Sequence, residues 1–270
     1  MQGFTDEDFQ RLHTYIRKCF GIDLHNKKQL IVSRLSNTVT AEGFDGFHDY
    51  VEEILRGQNK ELISGMLNKL TTNYTYFLRE KEHFDFLQNI ILPELEKRHQ
   101  GDKCLSIWSA GCSSGEEPYT ISMYLKEYFA RKQGNWDLRI LATDISQNIL
   151  NSAMNPVYGM DSISKLPPAW QSKYFVKKPD GNLTISPDIR NNVIFRPFNL
   201  LDTPHWKRPF DLIFCRNVMI YFDQPTKDAL VNRFYQVTVP GGWFFIGHSE
   251  GLTKQTCPYA YIEPAIYQKK

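Results

Sequence analysis

Ile107-Trp108-Ser109-Ala110-Gly111-Cys112-Ser113-Ser114-Gly115-Glu116-Glu117-Pro118 is the stretch on which the fold turns. It reads as a strand, then a loop of small residues that lets backbone approach a ligand closely, then the start of a helix: the opening of a βα unit. The spacing Gly111-x-x-x-Gly115 is not the G-x-G-x-x-G of dinucleotide enzymes. Glu116 and Glu117 stand at the helix N-terminus, where the dipole would hold a pyrophosphate, and two carboxylates there would repel one. The loop therefore suits a cationic ligand without phosphates. A capped helix start with acids that complement the dipole is the alternative reading of the same residues.

Downstream, β-rich runs alternate with helical ones. Strands are expected at Leu105–Trp108, Leu138–Thr143, Val193–Phe198, Phe210–Cys215 and Trp243–Ile246, and helices at Glu116–Arg131, Ser146–Met154 and Gln224–Val237. Such alternation specifies a doubly wound α/β domain on a parallel sheet, whose ligand crevice opens at the carboxyl ends of the first strands. Pro179-Asp180-Gly181-Asn182, flanked by extended segments, predicts an antiparallel β insertion at about 174–195. Three polar clusters fall on the crevice edge. Asp144 ends the second strand, where a carboxylate accepts ribose hydroxyls or caps the next helix. Asn199-Leu200 and Arg216-Asn217 end later strands, as ligand contacts or as capped turns.

Upstream, apolar residues recur at helical spacing, as in Phe9, Leu12 and Ile16 and again in Leu62, Ile63, Met66, Leu67 and Leu70. Thr5 before Asp6-Glu7-Asp8 is an N-cap signal, and Gly21, Gly43, Gly46 and Gly57 mark helix ends. The organisation expected is a helical domain over 1–85, a linker helix and linker over 86–102 with an interruption near Pro93, and the α/β domain over 103–270. Leu70-Thr71-Thr72-Asn73-Tyr74-Thr75-Tyr76-Phe77-Leu78-Arg79-Glu80 is rich in hydrogen-bonding side chains for a helix boundary, and on its own reads as a Thr/Asn-capped turn.

Thirty-two Lys and Arg against thirty Asp and Glu leave a net charge of +2, which excludes the strong single-sign field of a dedicated nucleic-acid binder. The N-terminus lacks the pattern of a signal peptide, and no apolar run is long enough to span a bilayer, so a cytoplasmic protein is expected. Five cysteines without a C-x-x-C pair or zinc-ligand spacing read as reduced thiols, and no metal is expected. Six cations between Arg11 and Arg34 (Arg11, Arg17, Lys18, Lys27, Lys28, Arg34) face one acid, Asp23. They form either a patch for an acidic partner or a solvated helix face.

Taken together, TTNYTYFLRE, IWSAGCSSGEEPY, ATDIS, FNLLD, FDLIFCRNVMIYF and PGGWFFIGHSE, in this order and spacing, resemble the CheR-type chemoreceptor glutamate methyltransferases over nearly the whole chain. The resemblance implies a helical N-terminal domain before a Rossmann-like methyltransferase domain with a β-subdomain insertion. It implies S-adenosyl-L-methionine as methyl donor and S-adenosyl-L-homocysteine as product. It places Asn73, Thr75, Arg79, Gly111, Glu117, Asp144, Asn199, Leu200, Arg216 and Asn217 at the cofactor, with Arg79 and Tyr221 nearest the transferring methyl. The implied partner is the cytoplasmic helical domain of methyl-accepting chemotaxis receptors in membrane arrays, met in part through the basic stretch Arg11–Arg34. Two rival classes remain. An amino-group nucleic-acid methylase would show Asn-Pro-Pro-Tyr or a relative where this chain has CRNVMIYF, and base extrusion needs a stacking pocket. A cofactor-sensing module without catalysis is opposed by the presence of both Arg79 and Tyr221.

Overall fold

The computed structural model describes residues 3–71 and 74–270. Four helices come first: α1 (Asp6–Phe20), α2 (Lys28–Ala41), α3 (Phe47–Arg56) and α4 (Lys60–Leu70). Thr5 and Asp8 close a reciprocal capping box on α1, which Gly21 ends at φ +74°. Gly57 ends α3 in the same left-handed conformation.

A long helix follows in two parts, α5 (Lys81–Phe86) and α6 (Leu92–Arg98), joined without a break by a π-helical turn over Leu87–Ile91. Pro93 has no N–H and its ring crowds the carbonyl four residues back, so an α-helix would break there. Widening the preceding turn to i→i+5 bonds, as in Leu92 N–H to Leu87 C=O, carries the chain through instead. The segment 86–102 is not a free linker. Phe84, Leu87, Ile91, Leu92 and Leu95 are buried in the core of the α/β part, and His99 is held between Asp102 and Asp211.

The α/β part runs β1 (Ile107–Ala110), α7 (Glu116–Phe129), β2 (Ile140–Asp144), α8 (Gln147–Met154), α9 (Pro168–Tyr174), β3 (Phe175–Lys177), β4 (Leu183–Ile185), α10 (Pro187–Arg190), β5 (Val193–Pro197), β6 (Phe210–Phe214), α11 (Gln224–Val237), β7 (Thr238–Phe245), β8 (Ala260–Glu263) and β9 (Ile266–Gln268). The large sheet has the order β5-β2-β1-β6-β7-β9-β8, parallel from β5 to β7 and antiparallel across β7/β9 and β9/β8. β3 and β4 pair as the expected antiparallel insertion. β1 starts two residues later than the apolar pattern suggests, because the Asp211 carboxylate takes the Ser106 N–H at 2.9 Å. The closing β8–β9 hairpin was not expected; its first strand is short and largely exposed, with no alternation to reveal it.

Strand alternation sends side chains to two cores. Ile107, Ile140, Leu212, Phe214 and Phe245 face α5–α6 and α7, whereas Trp108, Ala110, Ile213 and Phe244 join α11 and the N-terminal helices in one continuous apolar cluster. The helical region is thus seated on the α/β part. Ile22 forms an antiparallel bridge with Phe222, Asp23 N–H donates to the Tyr221 carbonyl at 2.8 Å, and Arg17 pairs with Asp223. This seam carries the chain before α2 to the carboxyl edge of the sheet.

Candidate active site

A cleft of about 1000 Å³, open to solvent, lies where the carboxyl ends of β1, β2, β5 and β6 meet the helical region. Thr75, Arg79, Gly111, Glu117, Asp144, Asn199, Leu200, Arg216, Asn217 and Tyr221 all line it. Asn73 lies outside the described residues. Phe20 and Ile22 close the cleft from the helical side, a contribution not foreseen from the sequence.

The first wall is the β1–α7 loop. Gly111 and Cys112 N–H both donate to the Thr143 carbonyl, which ties the loop to the end of β2. Gly111 adopts φ +83°, and a Cβ built on it would lie 2.3 Å from Val218 Cγ2 on the opposite wall, so only glycine permits this width. Asp144 ends β2 with each carboxylate oxygen accepting a backbone N–H at 3.0 Å, from Ser113 and from Ser146. Burial raises its pKa, against these hydrogen bonds. Asn199 donates to the Cys19 carbonyl at 2.8 Å and accepts from Leu201 N–H, so it also fastens the cleft to the end of α1.

The floor is a buried charge network around Arg216, whose side chain is 2% exposed. Its Nη1 donates to Glu117 Oε2 at 2.9 Å, its Nη2 to Glu80 Oε2 at 2.8 Å and to the Arg79 carbonyl, and its guanidinium lies 5.6 Å from the centre of the Phe84 ring. Glu117 Oε1 accepts from Ser109 at 2.7 Å. Burial pushes the Glu117 carboxyl up against the pull of Arg216; for Glu80 burial acts the same way, but Arg216 and the His248 N–H outweigh it and hold the carboxyl down. Two carboxylates around one guanidinium leave the floor with an anionic bias.

Two further carboxylates shape the site and carried no signal of their own in the sequence. Glu80 sits at φ +58° and receives Asn217 Nδ2 and His248 N–H as well as Arg216. Glu250 accepts backbone N–H bonds from Asn217 at 2.8 Å, Met219 at 2.7 Å and Gly247 at 2.6 Å. These bonds hold the turn that follows β6, in which Asn217 has φ +60° and Tyr221 is presented to the cleft. Glu80 and Glu250 lie within the quoted FLRE and GHSE segments, yet their partners are far along the chain.

At the mouth, Arg79 Nη1 donates to the Tyr74 carbonyl at 2.7 Å and its guanidinium stands 5.9 Å from the Tyr76 ring centre. Arg79 forms no ion pair with a carboxylate among the described residues. Beside the floor, His83 is 1% exposed, with neither ring nitrogen hydrogen-bonded among the described residues. Burial, then Arg216, pushes its pKa down to about 3, so it is neutral at physiological pH. Glu80, His83 and His248 have donor atoms within 4.8 Å of one another, a grouping able to hold a metal ion. The Arg216 guanidinium on Glu80 opposes a cation there.

S-adenosyl-L-methionine fits this donor set. Asp144 offers a carboxylate at the end of β2 where ribose hydroxyls are met in such sheets, and the anionic floor and the acidic start of α7 favour a cation over a phosphate.

A mostly parallel sheet with its crevice at the carboxyl ends of the central strands is the architecture of Rossmann-like enzyme domains. Residues 73–266 match the family model described as CheR methyltransferase, SAM binding domain, and residues 7–71 the CheR methyltransferase, all-alpha domain. A chemotaxis protein methyltransferase of Borreliella burgdorferi is 40% identical over 99% of this chain and 95% of its own length. Chemotaxis protein methyltransferase Cher2 of Pseudomonas putida is 34% identical over 97% and 98%, and the chemotaxis protein methyltransferase of Salmonella typhimurium is 33% identical over 98% and 91%. The chain belongs to the CheR methyltransferase family. No helix among the described residues is long and apolar enough to cross a membrane.

Proposed function

We propose that this protein transfers a methyl group from S-adenosyl-L-methionine to glutamate side chains of methyl-accepting chemotaxis receptors, giving glutamate methyl esters and S-adenosyl-L-homocysteine in sensory adaptation. The relatives' names supply the pathway. The observation that carries the reading is the convergence of ten separated residues on one cleft whose floor is internally paired and whose mouth holds Arg79, which forms no ion pair among the described residues.

The cofactor, when bound, supplies an electrophilic methyl on a sulfonium. A glutamate carboxylate has an ordinary pKa of about 4.3 and is already anionic near pH 7, so no general base is required. The chain must orient this anion, and orientation alone contributes up to roughly 7–11 kcal/mol. Arg79 guides the incoming carboxylate, and Tyr221, fixed by the Glu250-held turn, steers it by hydrogen bonding or packing. Thr75, Asp144, Asn199 and Asn217 are assigned to holding the cofactor, together with the backbone at Gly111 and Leu200. Asn73 is assigned there on the resemblance alone. Glu117 and Arg216 form the floor beneath it. Anion and cation neutralise each other as the methyl moves, so the apolar walls that Phe20, Ile22 and Phe222 give the cleft favour transfer by lowering the polarity around the reacting charges.

The helical domain, on this reading, meets the receptor and keeps the enzyme at membrane receptor arrays while the α/β domain performs the transfer. The deciding experiment is transfer of labelled methyl from S-adenosyl-L-methionine to receptor-containing membranes, followed by mild alkali. Alkali-labile label on a receptor-sized band is the expected result. Label that survives alkali, or none at all with the cofactor bound, overturns the reading.

A further inference from the structure

Four of the six cations in the basic stretch of the helical region are matched within the chain, while Lys18 and Lys27 are exposed. Arg11 pairs with Glu52, Arg17 with Asp223 and Lys28 with Asp6, and Arg34 donates to the carbonyls of Lys69 and Leu70 at the end of α4. Two further cations without a carboxylate partner among the described residues stand at the mouth of the cleft. Lys165, exposed in the segment between α8 and α9, places Nζ 4.0 Å from the centre of the Tyr76 ring, the ring that Arg79 approaches at 5.9 Å. Neither cation forms an ion pair with Asp or Glu among the described residues. Tyr74 extends the platform, 69% exposed and with its ring centre 5.7 Å from that of Tyr76. Tyr74, Tyr76 and Arg79 line the cleft, and Lys165 stands just outside it.

An aromatic face holds an ammonium in place without neutralising it. The two charges therefore share one ring and lie within roughly 10 Å of each other, close enough to act on a single ligand. Residues three or four apart on a helix have Cβ atoms about 5–6 Å apart, and two carboxyl side chains at that spacing span the distance between the cations. A lone carboxylate would use only one of them.

We propose that Lys165, seated on Tyr76, is a specificity-determining residue that reads a second carboxylate three or four residues from the acceptor glutamate on an acidic helical segment, while Arg79 receives the acceptor itself. This rests on the glutamate methyltransferase reading above and names the substrate feature it recognises. Lys165 touches neither the reacting atoms nor the cofactor cleft, so its effect falls on substrate capture.

The test uses the full chain, methyl-labelled S-adenosyl-L-methionine and receptor-containing membranes, with initial rates of alkali-labile labelling followed against receptor and salt concentration. If the unaltered enzyme places no alkali-labile label on receptor, the function itself is overturned and this inference with it. With that enzyme active, Lys165→Glu is expected to raise KM for receptor about tenfold, leaving kcat and cofactor Kd unchanged and flattening the salt dependence. A receptor whose acid flanking a methylated glutamate is changed to lysine is expected to be methylated better by the Lys165→Glu enzyme than by the unaltered one. An unchanged KM and salt dependence in Lys165→Glu, or absence of that charge-swap recovery, overturns the role of Lys165 while the function stands. A parallel loss of cofactor affinity overturns it as well.

Discussion

The floor and the mouth of the cleft carry similar residues under opposite rules. At the floor, Arg216, Glu80, Glu117 and Glu250 satisfy one another or the backbone, and little hydrogen-bonding capacity is left over. At the mouth, Arg79 and Lys165 approach one aromatic ring, and neither forms an ion pair with an acid among the described residues. Buried charge must be paired to be tolerated, so the floor is a fixed shape that the fold itself maintains. Exposed charge is cheap to leave unmatched, so the mouth can keep its capacity for an anion, which the proposed acceptor carboxylate would use.

The largest break in this contrast should come from Arg216→Met. It leaves Glu80 and Glu117 buried without their cation, and a loss of about 3–5 kcal/mol in urea unfolding is expected, together with loss of cofactor binding by calorimetry. Next comes acid. His83 is held neutral with a pKa of about 3, below its unfolded value of about 6.5. The unfolded chain then binds the extra proton, so this contribution is complete above pH 6.5 and is lost as pH falls toward 3, amounting to roughly 3 kcal/mol by pH 4. Denaturation curves across that range should show it, and His83→Leu should remove this part of the pH dependence.

The mouth should respond in activity rather than stability. Arg79→Ala is expected to lower kcat/KM for methyl transfer by about 100-fold while changing unfolding free energy by less than about 0.5 kcal/mol. A parallel loss of stability would place Arg79 with the floor and erase the distinction. Smallest is Glu250→Gln, which substitutes an amide for a carboxylate that accepts backbone N–H bonds. A loss of about 1–3 kcal/mol by urea unfolding is expected, with a fall in kcat, since the turn presenting Tyr221 loses its brace.

The strand and helix alternation was readable because apolar period and turn residues are local properties, and the sheet order then delivered Asp144, Asn199 and Arg216 to one edge. What stayed hidden depends on contacts between distant residues. The partnership of Glu80 with Arg216 spans 136 positions, and nothing in FLRE distinguishes that glutamate from a solvated one. The basic stretch reads as free charge until folding brings Glu52 and Asp223 beside Arg11 and Arg17. Pro93 signals an interruption of its helix, but a π turn as the answer to it belongs to packing, because Leu92 and Leu95 must reach the α/β core.

The apolar cluster shared by the N-terminal helices and one face of the sheet has a thermodynamic meaning. Two regions that match separate family models own no separate interiors on that side, since Leu12, Leu35 and Met66 belong to the same buried mass as Trp108, Ile213 and Phe244. Melting one would strip the other of its cover. On that side of the sheet the two regions are therefore expected to lose their structure together, and a load placed on the helices would be felt by the strands beneath them.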